Sequence, residues 1–274
     1  MNAISVSTAK TPIAPKFGSS LPARRAGAMV AAAVLLACAS APALAGRIVV
    51  NHDEWTWTDT GFSLAGGSNA SNFAQNVVKF LDTDGTPGGN VLIYSNNFAF
   101  GASFSAALTA AGYTPTYDTG ALFTLANLLT FDAVYLAGGG FGKNDAVLAS
   151  YVNAGGGVFI AGGTGAGGAA GEAARWNGFL GGFGLAFDGS NYNGVGGTLA
   201  VTGVHPIFSG VSQLYYNNGN TVLDIGDANS MIVQTPGLIG VYDNVGAVPE
   251  PETYALMLAG LGALGFVARR RGKA

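Results

Sequence analysis

Residues 133–161 read AVYLAGGGFGKNDAVLASYVNAGGGVFIA, and this stretch decides the fold. Its two apolar runs, 133–137 and 158–161, are short and uninterrupted, as strands buried on both faces are. Residues 145–152 between them are predicted to be helical. Glycines at 138–142 and 155–157 supply the connecting loops, because hydrophobic elements flank each of them. A strand, a helix and a second strand in this order predict a parallel βαβ unit.

The same alternation continues on the N-terminal side of this unit. Strands are predicted at 47–51, 91–94 and 114–117, and helices at 72–81, 104–111 and 122–129. This pattern predicts a three-layer α/β domain with a mainly parallel sheet, flavodoxin-like in outline. After residue 185 the pattern changes to short strands at 184–187, 198–201, 221–225, 231–234 and 238–242. These strands are expected either to extend one edge of the sheet in antiparallel fashion or to form a small β layer.

Composition and charge restrict the function further. Of the 274 residues, 49% are hydrophobic and only 10% are charged, which excludes a wholly disordered chain. Residues 46–248 hold four basic and thirteen acidic residues, a formal charge of −9. A body this acidic repels phosphate backbones, so we expect no nucleic-acid partner.

The N-terminal segment, residues 1–45, is predicted to be a secretory signal peptide. A basic, acid-free stretch leads into the apolar run 28–37, and small residues end in Ala43-Leu44-Ala45, after which signal peptidase is expected to cleave. Arg24-Arg25 leaves a twin-arginine signal as an alternative, and Leu35-Leu36-Ala37-Cys38 leaves a lipoprotein box. Cys38 is the only cysteine, so cleavage after Ala45 yields a mature chain without disulfide, thiol nucleophile or thiolate ligand.

The C-terminal segment, residues 249–274, has three parts in a fixed order: Pro249-Glu250-Pro251, an apolar helix at 253–268 and the basic end Arg269-Arg270-Arg271. This tail resembles the PEP-CTERM sorting signal of Gram-negative bacteria. The resemblance implies recognition by an exosortase, removal of the tail near Pro-Glu-Pro and association with bacteria that make exopolysaccharide and biofilm. The helix is expected to cross the inner membrane with its arginines cytoplasmic, which places the body, 46–248, in the periplasm before it reaches the surface. An ordinary single-pass anchor is the alternative.

Three loops are expected at the carboxyl edge of the parallel sheet, where open α/β sheets bind ligands. The first contains His52, Asp53 and Glu54, the second Gly139 and Gly140, and the third Thr164. Asp53 and Glu54 suit a divalent cation, and Trp55 and Trp57 suit stacking on a sugar. The alternative is that the first loop only caps the strand and packs against the body.

Residues 133–168 also resemble the core of class I glutamine amidotransferase-like domains, with Gly139-Gly140-Phe141 in the first turn and residues 158–161 as the strand before the nucleophile elbow. The family's cysteine falls at about Gly163, and His205-Pro206-Ile207 resembles a segment of its non-amidotransferase relatives. The resemblance implies the fold and argues against amidotransferase chemistry, because glycine is no nucleophile. A rival interpretation takes Gly163, Gly165 and Gly168, with Asp188, as a dinucleotide-binding pattern.

Asp82-Thr83-Asp84-Gly85 hints at a calcium loop, but no glutamate completes it, so a polar turn is favoured. Together the sequence predicts an exported, exosortase-sorted surface or biofilm-matrix protein. Its non-catalytic body is expected to bind a small ligand, a glycan or a protein, with exopolysaccharide as one partner and with no cofactor, metal or catalytic residue. The competing prediction is an extracytoplasmic hydrolase or metal-dependent enzyme that uses His52, Asp53 and Glu54.

Overall fold

The structure is a computed structural model that describes residues 46–84, 88–139, 142–244 and 260–261. The predicted signal peptide, and the predicted sorting tail and membrane helix apart from Gly260 and Leu261, lie outside these residues, as does Gly140 of the predicted crevice.

Eleven strands and six α-helices form within the described residues. The strands are β1 Arg47–Asn51, β2 Gly89–Ser95, β3 Tyr113–Tyr117, β4 Ala133–Ala137, β5 Gly157–Ala161, β6 Leu185–Tyr192, β7 Gly197–Ala200, β8 Gln213–Tyr216, β9 Asn220–Asp224, β10 Ser230–Gln234 and β11 Ile239–Asp243. The helices are α1 Asp59–Ala65, α2 Asn69–Leu81, α3 Ala102–Ala110, α4 Leu125–Leu128, α5 Asp145–Asn153 and α6 Gly168–Leu180. Short 3₁₀ turns lie at Gly181–Phe183 and Pro206–Phe208.

Seven strands form one mixed sheet in the order β3-β2-β4-β5-β1-β11-β10. The first five are parallel, and β11 and β10 add to the β1 edge in antiparallel fashion. At the centre, Val49 pairs with Phe159 on one side and Val241 on the other. A mainly parallel sheet in an α/β domain was predicted, and this part of the prediction is confirmed.

The strand order shows where the chain reverses direction across the sheet. From β2 the chain moves outward to β3 and then returns to β4 on the other side of β2. The first strand lies beside β5, whereas a flavodoxin-like sheet places it second. Reversal points of this kind leave a crevice beyond the carboxyl ends of the two diverging strands, here β2 and β4.

Both faces of the sheet are buried because successive side chains of each strand point in opposite directions. Val49, Ile93 and Phe159 pack on the face covered by α2 and α3, whereas Val50 and Ile160 pack on the face covered by α5 and α6. The central strands β4 and β5 are therefore apolar throughout, as the unbroken runs in the sequence indicate.

The chain after residue 185 follows both of the alternatives left open by the sequence. β10 and β11 extend the main sheet, while β6 pairs with β9 and β7 pairs with β8 in two-stranded sheets. Three expectations need correction. The helix expected at 122–129 is confined to Leu125–Leu128, and neither α1 nor β8 was predicted. Thr124 accounts for the first difference, since its side chain accepts a hydrogen bond from Asn127 N and starts the helix there.

Candidate functional site at the carboxyl edge of the sheet

The loops that follow β1, β2, β4 and β5 meet at one edge because these strands are parallel. Four of the predicted crevice residues lie at this edge: His52, Asp53 and Glu54 follow β1, and Thr164 follows β5. His52 and Asp53 are fully buried, Glu54 is 6% exposed, and Thr164 is half-buried. Gly139, after β4, also lies at this edge.

Asp53 organises the loop after β1. Its Oδ1 accepts hydrogen bonds from Trp55 N at 2.7 Å and Thr56 N at 3.2 Å, and its Oδ2 accepts one from Asn217 N. Asn51 Nδ2 donates to Asp53 O and to Thr56 Oγ1, both at 2.8 Å. Both carboxylate oxygens of Asp53 are thus occupied by the protein's own donors, which leaves little capacity for a cation.

His52 is held inside the body. Its Nδ1 lies 3.2 Å from Asn193 Nδ2, within hydrogen-bond distance. The Nε2 atom lies 3.1 Å from Asp53 Oδ2, yet the geometry does not make a hydrogen bond. The imidazole packs 5.3 Å from the Tyr216 ring. This burial suits a structural role better than proton transfer to a ligand.

Glu54 and Glu172 form the most unusual feature of the edge. Glu54 Oε2 accepts a hydrogen bond from Asn97 Nδ2, in the loop after β2. Burial, together with the negative charges of Glu172 and Asp53, raises the pKa of Glu54 from 4.5 to about 7. The pKa rises because an isolated buried charge costs stability. Carboxyl groups that lose their proton near neutral pH are characteristic of functional sites.

Glu172 comes from α6 and is fully buried. Its Oε1 accepts hydrogen bonds from Thr164 Oγ1 at 2.7 Å and Tyr192 OH at 3.1 Å. Burial and Glu172 raise the pKa of Tyr192 to about 12, so the phenol stays a donor. Among the described residues, Glu172 Oε2 has no hydrogen-bond partner.

Other buried polar atoms around this edge also lack partners within the described ranges: Asn51 Oδ1, Tyr216 OH and Asn220 Oδ1. Buried polar atoms in proteins are nearly always hydrogen-bonded to protein, ordered water or ligand. These atoms lie beneath the carboxyl edge and include the hydroxyl donor of Tyr216 as well as amide acceptors.

The two tryptophans of the first loop have different environments. Trp57 is 2% exposed and packs against Phe159 at 4.2 Å and Phe104 at 4.7 Å, so the expectation that it stacks on a sugar is wrong. Trp55 is half-buried and meets Phe98 edge-to-face at 5.1 Å. Phe98 is 54% exposed. Trp55 follows Glu54 and Phe98 follows Asn97, so the aromatic contact and the Glu54–Asn97 hydrogen bond both join the loop after β1 to the loop after β2.

In the described part of the glycine loop after β4, Gly138 and Gly139 are engaged by the protein's own side chains. Gly139 N donates to Asn96 Oδ1 at 3.0 Å, and Asn96 Nδ2 donates back to Gly139 O. Arg175 lies against Gly139, where a Cβ atom would come within 2.4 Å of its guanidinium, and Arg175 Nη1 donates to Gly138 O at 3.2 Å.

The remaining sequence candidates lie elsewhere or serve turns. His205 caps the 3₁₀ turn Pro206–Phe208 and packs edge-to-face on Phe80, on which Arg47 at the amino end of β1 also packs. It therefore does not converge with His52. Asp188 Oδ1 accepts from Ser190 N at 2.8 Å in the irregular part of β6, between Phe187 and Tyr192.

Asn97, Glu172 and Tyr192 were missed by sequence reasoning. Only Glu172 left a signal, since it falls on the apolar stripe of α6 formed by Ala169, Ala173 and Trp176. An acidic residue at a buried helix position points to a polar function.

Comparison with known proteins adds one finding. Residues 247–271 match the profile of the PEP-CTERM protein-sorting motif. The chain carries a PEP-CTERM sorting signal. This confirms the resemblance of the tail and supports processing by an exosortase, with export and sorting to the cell envelope or surface.

The body has no such match. No curated protein and no solved structure is significantly similar to this chain. The amidotransferase-like and flavodoxin-like interpretations therefore rest on the sequence pattern alone.

Within the part of the chain that the structure describes, no helix has both the length and the apolar character needed to span a bilayer.

Proposed function

We propose that this exosortase-sorted protein works at the cell surface or in the biofilm matrix, where its α/β body binds a saccharide at the carboxyl edge of the sheet. The observation that carries the proposal is that the buried Glu54, whose pKa is raised by burial and by the charge of Glu172, is followed by the half-buried Trp55, which packs on the exposed ring of Phe98.

The chemistry of the edge favours a sugar over other small ligands. A sugar presents many hydroxyl groups, and Glu54 and Asn97 place a carboxyl group and a carboxamide at this edge. A sugar also presents apolar C–H faces, which pack on aromatic rings such as those of Trp55 and Phe98. An anionic ligand is disfavoured because Glu54, Glu172 and Asp53 already crowd negative charge there.

A binding role is favoured over covalent catalysis by the turn after β5. Gly163 adopts φ +66°, the strained conformation of a nucleophile elbow, but carries no side chain. A Cβ atom there would lie 3.0 Å from the Cα atoms of Asp53 and Gly219, so the corner is already filled. The absence of a side chain at Gly163 favours a body without covalent nucleophile chemistry at this corner, as the sequence resemblance implies.

One observation favours the alternative, an extracytoplasmic hydrolase. Glu54, with a pKa of about 7, has the protonation behaviour of a general acid. His52 and Asp53 contribute less to this alternative, because the protein already engages the Nδ1 atom of His52 and both carboxylate oxygens of Asp53.

The two functions are separated by binding and turnover measured on the same secreted protein. Exopolysaccharide from the producing bacterium is immobilised, and retention of wild type is compared with Trp55→Ala, Glu172→Gln and a control, Leu122→Ala, at a site that is 73% exposed. The proposal predicts that both site variants lose retention and the control keeps it. Retention that is equal in all four proteins contradicts saccharide binding at this edge. Release of reducing ends that disappears in Glu54→Gln establishes the hydrolase instead.

A further inference from the structure

Three acidic side chains meet at the opposite, amino edge of the sheet. Asp82 follows α2, Asp84 lies two residues further on, and Asp132 immediately precedes β4. One carboxylate oxygen from each lies within 4.8 Å of the others. This spacing matches oxygens that share one cation.

The sheet itself brings the third carboxylate to the other two. Val91 of β2 pairs with Ala133 of β4, which sets Asp132 beside Asn90. Asn90 N donates to Asp132 Oδ2 at 2.6 Å, fixing the orientation of that carboxylate. The sequence shows only Asp82-Thr83-Asp84, because Asp132 is 48 residues beyond Asp84.

The burial of Asp82 is a second observation that points to a ligand. Its side chain is only 6% exposed, and its Oδ2 accepts a hydrogen bond from Tyr113 OH at 2.7 Å. Its Oδ1 is buried and has no hydrogen-bond partner within the described residues. A buried, half-satisfied carboxylate beside two further carboxylates is costly unless a positive charge joins it.

A cavity of about 200 Å³ lies at the same place and is lined by all three acids. It has room for a cation and several water molecules. The salt bridges of the described residues involve Arg47, His52 and Lys143, and none of them reaches Asp82 or Asp132.

We propose that Asp82, Asp84 and Asp132 bind a calcium ion that ties the segment after α2 to the start of β4. Hard carboxylate oxygens select calcium or magnesium over zinc and copper, which favour nitrogen and sulfur ligands. Calcium fits better than magnesium because it accepts irregular sets of six to eight oxygens, with water completing the shell. Three protein ligands, one of them exposed, correspond to the weak affinity of extracellular calcium modules, about 10⁻⁴–10⁻³ M.

The test uses the secreted protein, purified from an exporting host and stripped with a chelator. Isothermal titration and thermal unfolding compare calcium with magnesium for wild type, Asp84→Asn and Asp132→Asn. The control is Asp118→Asn, which removes an exposed carboxylate that accepts from Gly120 N. We expect 10 mM calcium to raise the Tm of wild type and control by about 5 °C. Affinity should fall at least tenfold in both site variants.

Two results overturn the proposal: no calcium binding by wild type at 10 mM, or site variants that bind as tightly as wild type. Asp84→Asn keeps the test decisive if Asp132→Asn fails to fold, because Asp84 is exposed. Saccharide retention is measured on the same samples. It reports on the other edge of the sheet, so either proposal can fail alone.

Discussion

Replacing Glu54 with glutamine should make the protein more stable at neutral pH, by an amount that grows with pH. The pKa of Glu54 is 4.5 when unperturbed and about 7 in the fold. Between these values the folded state binds a proton that the unfolded chain has released, so the free energy of unfolding falls as pH rises. At about 1.36 kcal/mol per pKa unit, the ceiling is about 3.4 kcal/mol.

Water near the site rim weakens this effect, so we expect about 2 kcal/mol at pH 8. Glutamine keeps an acceptor for Asn97 but does not ionise. Below pH 4.5 both proteins carry a neutral side chain, and their stabilities should nearly coincide. Above about pH 7 the difference should level off.

The assay is urea unfolding of wild type and Glu54→Gln between pH 4.5 and 8.5 at constant ionic strength. Asp188→Asn is the control, because a hydrogen bond from Ser190 N lowers the pKa of Asp188 and its replacement should give no trend above pH 5. A difference that is independent of pH, or one that grows as pH falls, refutes the placement of Glu54 in a buried, negatively charged site.

Four further substitutions probe the loops after β1 and β2. Trp57→Ala should destabilise the fold by about 3–5 kcal/mol in urea unfolding, whereas Trp55→Ala should cost less than about 1 kcal/mol. Equal losses would contradict the assignment of the Trp57 ring to the core and the Trp55 ring to the rim. Asp53→Ala should cost about 2–3 kcal/mol by the same assay, because buried N–H groups lose their acceptor, and an unchanged midpoint would show that the loop does not depend on it. Asn97→Ala should move the pH-dependent loss of stability to higher pH, because its hydrogen bond lowers the pKa of Glu54; a shift to lower pH would reverse this reasoning.

The sequence was most informative where local patterns and tertiary burial agree. The apolar runs of β1, β4 and β5 are buried on both faces, so nothing interrupts them and they predict central strands. Helix α2 was equally predictable from the sequence, because Phe73 and Val77 mark one buried face.

Elements whose stability comes from distant partners were missed. β8, Gln213–Tyr216, is a strand because it pairs with β7, and its four residues carry no clear period of their own. In α1, Thr58 caps the first turn through Gly61 N, but Gly61 at a buried position hides the helical pattern.

Only part of the candidate site could be predicted from the sequence, for the same reason. The rule that ligands bind beyond carboxyl ends of parallel strands indicated the loop with Glu54. It did not indicate Glu172, which reaches the edge from α6, or Tyr192, which reaches it from β6. Asp132 likewise joins Asp82 only through the pairing of β2 with β4.

The intact mass of the protein released from the cell surface tests most directly whether signal peptidase and exosortase remove the two ends of the chain. We expect a chain that starts at Gly46 and ends near Pro249. When the exosortase gene is deleted, we expect a longer chain that keeps its tail. Surface-released protein that still carries Arg269–Arg271 and the rest of the tail to Ala274 would contradict sorting by exosortase.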